Sequence, residues 1–182
     1  MKKIHVIAML IGFGLTVGPL LPAGPAGANG DGKKHRDSTD ELRARLNGAQ
    51  EVTIPAGGVE TEADGRGSLE FDRGLTTAEV ELSVRGLVDV QGAHIHCGGA
   101  GENGPIVVDF GVLLPGAVDD EIVDTTIDNA DIAVVDCVPL LGFPVNNIAS
   151  LRRAADEGLL YMNVHTGAFA NGEIRGQLLA DD

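Results

Sequence analysis

"TTAEVELSVRGL", residues 76–87, decides the fold. Ala78, Val80, Leu82 and Val84 fall on one side of an extended chain, and Glu79, Glu81, Ser83 and Arg85 fall on the other. Strand side chains alternate between faces with a period of two, so this segment reads as a strand with one apolar and one wet face. The same signature recurs outward from it. In "ELRARLNG" (41–48), Leu42, Ala44 and Leu46 alternate with Arg43 and Arg45, and the run ends at Asn47-Gly48. "GSLEFD" (67–72) is a second such segment, and the glycine-rich "ADGRG" (63–67) and "DRG" (72–74) read as turns.

Downstream, "AHIHC" (93–97) is a further strand, followed by the glycine-dense loop "GGAGENGP" (98–105). "IVVDFGVLL" (106–114) is mostly apolar and reads as a strand covered on both faces. Residues 115–146 are less regular and carry the acidic run "DDEIVDTTIDNADIAVVD" (119–136). One short helix is expected near 147–157: Asn146 or Asn147 can cap it, Ile148, Leu151 and Ala155 share a face, and Gly158 follows its end. Two strands close the chain, "LLYMNVHT" (159–166) and "GEIRGQLLA" (172–180). Short strands at regular spacing with many glycines point to an all-β class, an antiparallel β-sandwich or Greek-key barrel with one short helix.

The ends of the chain read differently. Met1-Lys2-Lys3 precedes a short apolar run and an Ala26-Gly27-Ala28 site, the pattern of a cleaved signal peptide over residues 1–28. The uninterrupted apolar run is shorter than the ~20 residues that a membrane span needs. Residues 29–39, "NGDGKKHRDST", read as a flexible leader, which leaves 40–182 as one domain. The expected location is therefore secreted, extracellular or periplasmic, with no membrane insertion after cleavage. Loss of Lys2 and Lys3 would take the net charge from −14 to −16, and no lysine follows Lys34. Such a field repels phosphate, which argues against nucleic acid as a partner. Cys97 and Cys137 are the only cysteines, an even count that suggests one disulfide in an oxidising compartment.

Three phrases, "LRARLNGAQEV" (42–52), "AHIHCGGAGENGPIVV" (93–108) and "LYMNVHTGAFANGEIRGQL" (160–178), resemble in content and order the CHRD domain, named for chordin. The domain also occurs in secreted microbial proteins. The resemblance spans about residues 40–180, and "NVHT" followed by "GEIRGQ" is its most specific part. It implies a β-sandwich used in extracellular proteins, without a catalytic activity common to the family. The cysteine-rich modules that accompany these domains in chordin are missing here, so growth-factor antagonism does not carry over.

Strand alternation also sorts the polar residues. His94 and His96 share one face of their strand, and Tyr161, Asn163 and His165 share one face of theirs. If the final hairpin sets His165 near Glu173, then Asn163 lies near Arg175 and Tyr161 near Gln177. His94, His96 and His165 would then form one polar face with Asn163, Glu173 and Arg175, provided that the "HIH" strand neighbours the hairpin. Three imidazoles on one face can ligate Zn²⁺ or Cu²⁺. The competing reading is a hydrogen-bonded structural network.

The "HxH" strand beside a glycine-rich loop also resembles copper–zinc superoxide dismutase, although that enzyme needs more histidines than this chain offers. Asp119, Asp120, Glu121, Asp124, Asp128, Asp131 and Asp136 supply oxygen ligands for weak Ca²⁺ binding without EF-hand spacing. Ser68, Ser83 and Ser150 lack the context of a hydrolase nucleophile. With aromatic residues at 3% and no tryptophan, a sugar-stacking platform is not expected. The expectation is a secreted, non-catalytic binding or structural module with an extracellular protein or matrix partner. Metal binding through the three histidines is the alternative.

Overall fold

The structure, a computed structural model, describes residues 41–180. The expected signal segment and leader lie outside the described residues. The order of elements is β1 (Glu41–Asn47), a 3-10 turn (Gly48–Gln50), β2 (Asp64–Phe71), β3 (Thr77–Cys97), β4 (Ile106–Asp109), β5 (Leu114–Asp128), α1 (Val138–Leu141), α2 (Ile148–Asp156), β6 (Leu160–Thr166), β7 (Ile174–Gln177) and β8 (Leu179–Ala180).

Closure of the antiparallel sheet depends on β3, which is long enough to serve two neighbours. Its first half pairs with β2, from Phe71↔Ala78 to Asp64↔Arg85. Its second half pairs with β6, from Val90↔Thr166 to Cys97↔Leu160. Strands β2, β1, β7 and β6 lie side by side, so the sheet returns on itself as a barrel. The other edge of β3 carries β5 along its first part and β4 near its end.

The alternation read from sequence places the core. Leu42, Ala44, Leu46, Ala78, Val80, Leu82 and Val84 are all buried, and they meet Leu69, Ile95, Met162 and Leu178 inside. Helix α2 begins with a reciprocal cap: the Asn147 side chain accepts from Ser150 N–H, and the Ser150 hydroxyl accepts from Asn147 N–H. It covers one part of the core with Ile148, Leu151, Ala154 and Ala155, as its 3.6-residue period predicts.

Three expectations change in detail. "ADGRG" is not a turn, because Asp64–Gly67 already belong to β2. A Cβ at Gly67 would collide with the Met162 sulfur, and one at Gly65 would stand 3.2 Å from Ile174 Cδ1. These glycines let large core side chains from β6 and β7 approach the strand backbone. The region 115–146 holds the fifteen-residue β5 and a second short helix, α1, beside the expected one. The register of β5 slips at Leu82/Ser83 and between Val84 and Leu87, so its buried Val118, Val123 and Ile127 do not alternate. The apolar run 106–114 is split: β4 takes only Ile106–Asp109, where Val107 and Val108 are buried, and β5 starts at Leu114.

Candidate metal centre

The β3–β6–β7 ladder sets the site. His94 lies opposite Asn163 and His96 opposite Tyr161 across β3 and β6. Asn163 then pairs with Arg175 and Tyr161 with Gln177 across β6 and β7. The "HIH" strand thus neighbours the final hairpin, and the polar residues of all three strands share one face. Little of that face meets water: His96 is 7% exposed, Asn163 3%, Tyr161 2% and Arg175 1%.

The loop after β3 roofs it. The Arg175 guanidinium donates to Gly99 O and Glu102 O at 2.9 Å and to Asn103 Oδ1 at 3.1 Å. Gln177 Nε2 donates to Gly98 O at 2.8 Å, and Gly104 N–H donates to the Tyr161 hydroxyl at 3.2 Å. The Arg175 guanidinium also lies over the Tyr161 ring, 3.4 Å from its centroid. The disulfide Cys97–Cys137 joins the start of this loop to the N-cap of α1, with a Cα–Cα distance of 6.2 Å.

His94, His96 and His165 converge beneath this roof. One ring nitrogen from each lies within 4.8 Å of the others, and among the described residues no other group of three metal-ligating side chains does so. Their hydrogen bonds assign the protons. His96 Nδ1 lies 2.8 Å from Gly104 O, and His165 Nδ1 lies 2.9 Å from Ala170 O. A carbonyl oxygen only accepts, so both Nδ1 atoms carry hydrogen, and in a neutral ring the lone pair is then on Nε2. His165 Nε2 accepts from the Asn163 amide at 3.0 Å. His94 Nε2 faces Asp109 Oδ1 at 3.5 Å.

His94 Nδ1, His96 Nε2 and Asn163 Oδ1 are buried without a hydrogen-bond partner. Leaving such groups unpaired costs about 1–3 kcal/mol each. A cation satisfies lone pairs that no donor reaches. Burial lowers the pKa of His96 to about 4 and also lowers that of His94, with the other histidines adding to the shift. Both rings are therefore neutral at pH 7, the form that ligates metal. A tetrahedral ion with Zn–N bonds of ~2.1 Å would need nitrogens about 3.4 Å apart, closer than the 4.8 Å within which these three lie.

The remaining site residues divide into separate contacts. Glu173 does not reach His165; its carboxylate accepts from Thr166 Oγ1 at 2.6 Å and Thr61 Oγ1 at 2.7 Å. Arg175 serves the loop, and Asn163 alone of the three touches a histidine through a hydrogen bond. The acids of 119–136 are spread along β5 and the turns after it, where Asp128, Asp131 and Asp136 accept from backbone N–H groups.

Two glycines that motif reading passed over shape the site. A Cβ at Gly92 would stand 2.9 Å from His94 Cε1 and 3.0 Å from its Nε2, so Gly92 makes room for that ring. Gly104 touches the Cys97 carbonyl so closely that a Cβ has no space, and it both holds His96 and binds Tyr161. Their positions beside "HIH" and within "GENGP" were the available signals. Glu51 was also passed over: it is buried with Oε1 unpaired, and burial raises its pKa to about 7 against the opposing effect of Arg175.

Fold and site together define a closed antiparallel β-barrel that carries a half-covered cluster of three imidazoles. The chain belongs to the CHRD domain family, whose model matches residues 42–178. Neither the curated proteins nor the solved structures yield a match.

Proposed function

We propose that this CHRD chain is a non-catalytic extracytoplasmic module that binds one divalent transition-metal ion, Zn²⁺ or Cu²⁺, through His94, His96 and His165. The observation that carries this reading is the pair of buried, unpartnered nitrogens, His94 Nδ1 and His96 Nε2, in a cluster where one ring nitrogen of each of the three histidines lies within 4.8 Å of the others. The second nitrogen of each ring already faces a carbonyl or carboxylate, the outer-shell arrangement that orients metal-ligating histidines. Imidazole suits both ions, and the Irving–Williams order favours Cu²⁺ when both are present. Membership of the CHRD family and the Cys97–Cys137 disulfide support a location outside the cytosol, secreted or periplasmic.

The test is calorimetric titration of the full chain, stripped of metal, with Zn²⁺ and with Cu²⁺. His94→Ala and His165→Gln are titrated in parallel. One equivalent bound by the parent chain and lost in both variants is expected. Binding no stronger than in the variants would return the histidines to a purely structural role.

A further inference from the structure

We infer that Asn163 is a built-in competitor of the metal ion. In the metal-free protein its amide holds His165 Nε2, and it must release that nitrogen before all three histidines can bind. The inference rests on the metal-binding reading above and adds how uptake at the same site is regulated.

The tautomer of His165 fixes what Asn163 does. His165 Nδ1 donates to Ala170 O at 2.9 Å, so Nε2 carries the one lone pair of the neutral ring. Asn163 Nδ2 donates to that nitrogen at 3.0 Å. A single lone pair meets either the amide N–H or an ion. The amide orientation follows too: with Nδ2 turned to His165, Oδ1 is left buried and without a partner. His94 Nδ1 and His96 Nε2 are held by no hydrogen bond. Of the three candidate ligands, His165 alone is occupied.

Strand geometry builds the contact into the site. Asn163 lies opposite His94 on β3 and Arg175 on β7, and it is 3% exposed. His165 stands two residues further along β6, on the same face. The Arg175 guanidinium is committed to Gly99, Glu102 and Asn103 in the loop, so it does not hold the amide. Among the described residues, the bond to His165 is the one hydrogen bond that the Asn163 side chain makes. Release therefore breaks one neutral hydrogen bond and disturbs no wider network. Asn163 lowers the affinity of the site without blocking it, and it keeps His165 partnered while the ion is absent.

Asn163→Leu keeps the branched shape of the side chain and removes both donor and acceptor. The full chain and this variant are stripped of metal and titrated with Zn²⁺ by calorimetry, and their melting is followed with and without the ion. Freed of the competing bond, the variant should bind Zn²⁺ about fivefold more tightly, the equivalent of one neutral hydrogen bond. Its metal-free form should melt lower than the parent, because His165 Nε2 is then unpartnered, and loading should raise its melting temperature by more. A merely structural role for Asn163 lowers the first melting temperature without raising affinity. Equal or weaker Zn²⁺ binding by the folded variant would overturn the competition, and the weaker case would mark Asn163 Oδ1 as a ligand. Uptake of Zn²⁺ by neither chain would instead remove the metal-binding reading itself.

The parent chain offers a second measurement that needs no substitution. Nitrogen-15 NMR of His165 and of the Asn163 amide is recorded before and after one equivalent of Zn²⁺. Loading should move the His165 Nε2 resonance, keep the Nδ1 proton on its carbonyl and shift the Asn163 amide protons. Zn²⁺ bound with His165 Nε2 and the Asn163 amide unchanged would overturn the inference.

Discussion

The imidazole of His96 lies parallel to the phenol ring of Tyr161, with 4.8 Å between centroids and 9° between planes. The same two residues are cross-strand partners and share a third, Gly104, whose carbonyl accepts from His96 while its N–H donates to Tyr161. One glycine thus locks both the position and the tautomer of a candidate ligand. Tyr161→Phe keeps the stacked ring but leaves the Gly104 N–H without its acceptor. A loss of about 1–2 kcal/mol in denaturant unfolding is expected. Full retention of stability would mean that the loop finds another partner.

Gly92 separates site geometry from fold stability. Its substitution by alanine places a methyl group 2.9 Å from His94 Cε1, so the ring must turn away from its present position. Gly92 has no positive φ, so the backbone accepts the change. Gly92→Ala should weaken metal binding about tenfold, roughly 1.4 kcal/mol, with the metal-free melting temperature little altered. Equal affinities for the two chains would show that the ring has freedom that the contact denies.

The metal-free protein should carry two opposed pH dependences. His96 falls from an ordinary 6.5 to about 4 on burial, so the unfolded chain takes up the proton first. Its contribution is complete above pH 6.5 and is lost as the pH falls towards 4, about 3 kcal/mol in all. His94 shifts in the same direction. Glu51 rises from 4.5 to about 7 on burial, so the folded chain holds the proton more tightly. Its contribution, also about 3 kcal/mol, is complete below pH 4.5 and is lost as the pH rises through 7. Glu51→Gln removes the second effect alone. Denaturant midpoints between pH 4.5 and 7 should therefore fall more steeply on acidification in the variant than in the parent. Identical slopes would be incompatible with a protonated, buried Glu51.

Cys97 and Cys137 are 40 residues apart, and their disulfide closes a loop that contains β4, β5 and the roof over the histidines. In the chain-entropy account, reduction should cost about 4 kcal/mol. Because the roof hangs from Cys97, reduced protein should also show faster amide exchange over 98–104 than over β1 and β2. Uniform acceleration across the barrel would argue for a purely global effect.

Much of this arrangement was legible because regular alternation reports which face meets the core. The even-numbered apolar residues from Leu42 to Leu46 and from Ala78 to Val84 are inside the barrel, as their period requires. Asn147 caps α2, and the final hairpin has the expected register, with Asn163 beside Arg175. The acidic stretch failed to read as a strand because register slips in its pairing with β3 set the buried Val118 and Val123 five residues apart, out of a period of two. "ADGRG" failed for a different reason. Its glycines serve Met162 and Ile174, residues about a hundred positions away, and no local window contains them.

By itself, the sequence determined the all-β class, the inward face of each regular strand, the cap of α2 and the histidines as candidate ligands. These follow from short-range periodicity and side-chain chemistry, which act within a few residues. Only the tertiary structure decided that β3 serves both β2 and β6 and so closes the barrel. It also decided that His165 comes to His94 and His96, and that Arg175 and Gln177 draw a glycine-rich loop over them. Those outcomes depend on strand pairing between distant segments and on the desolvation of polar groups beneath a roof. Both are properties of the assembled chain.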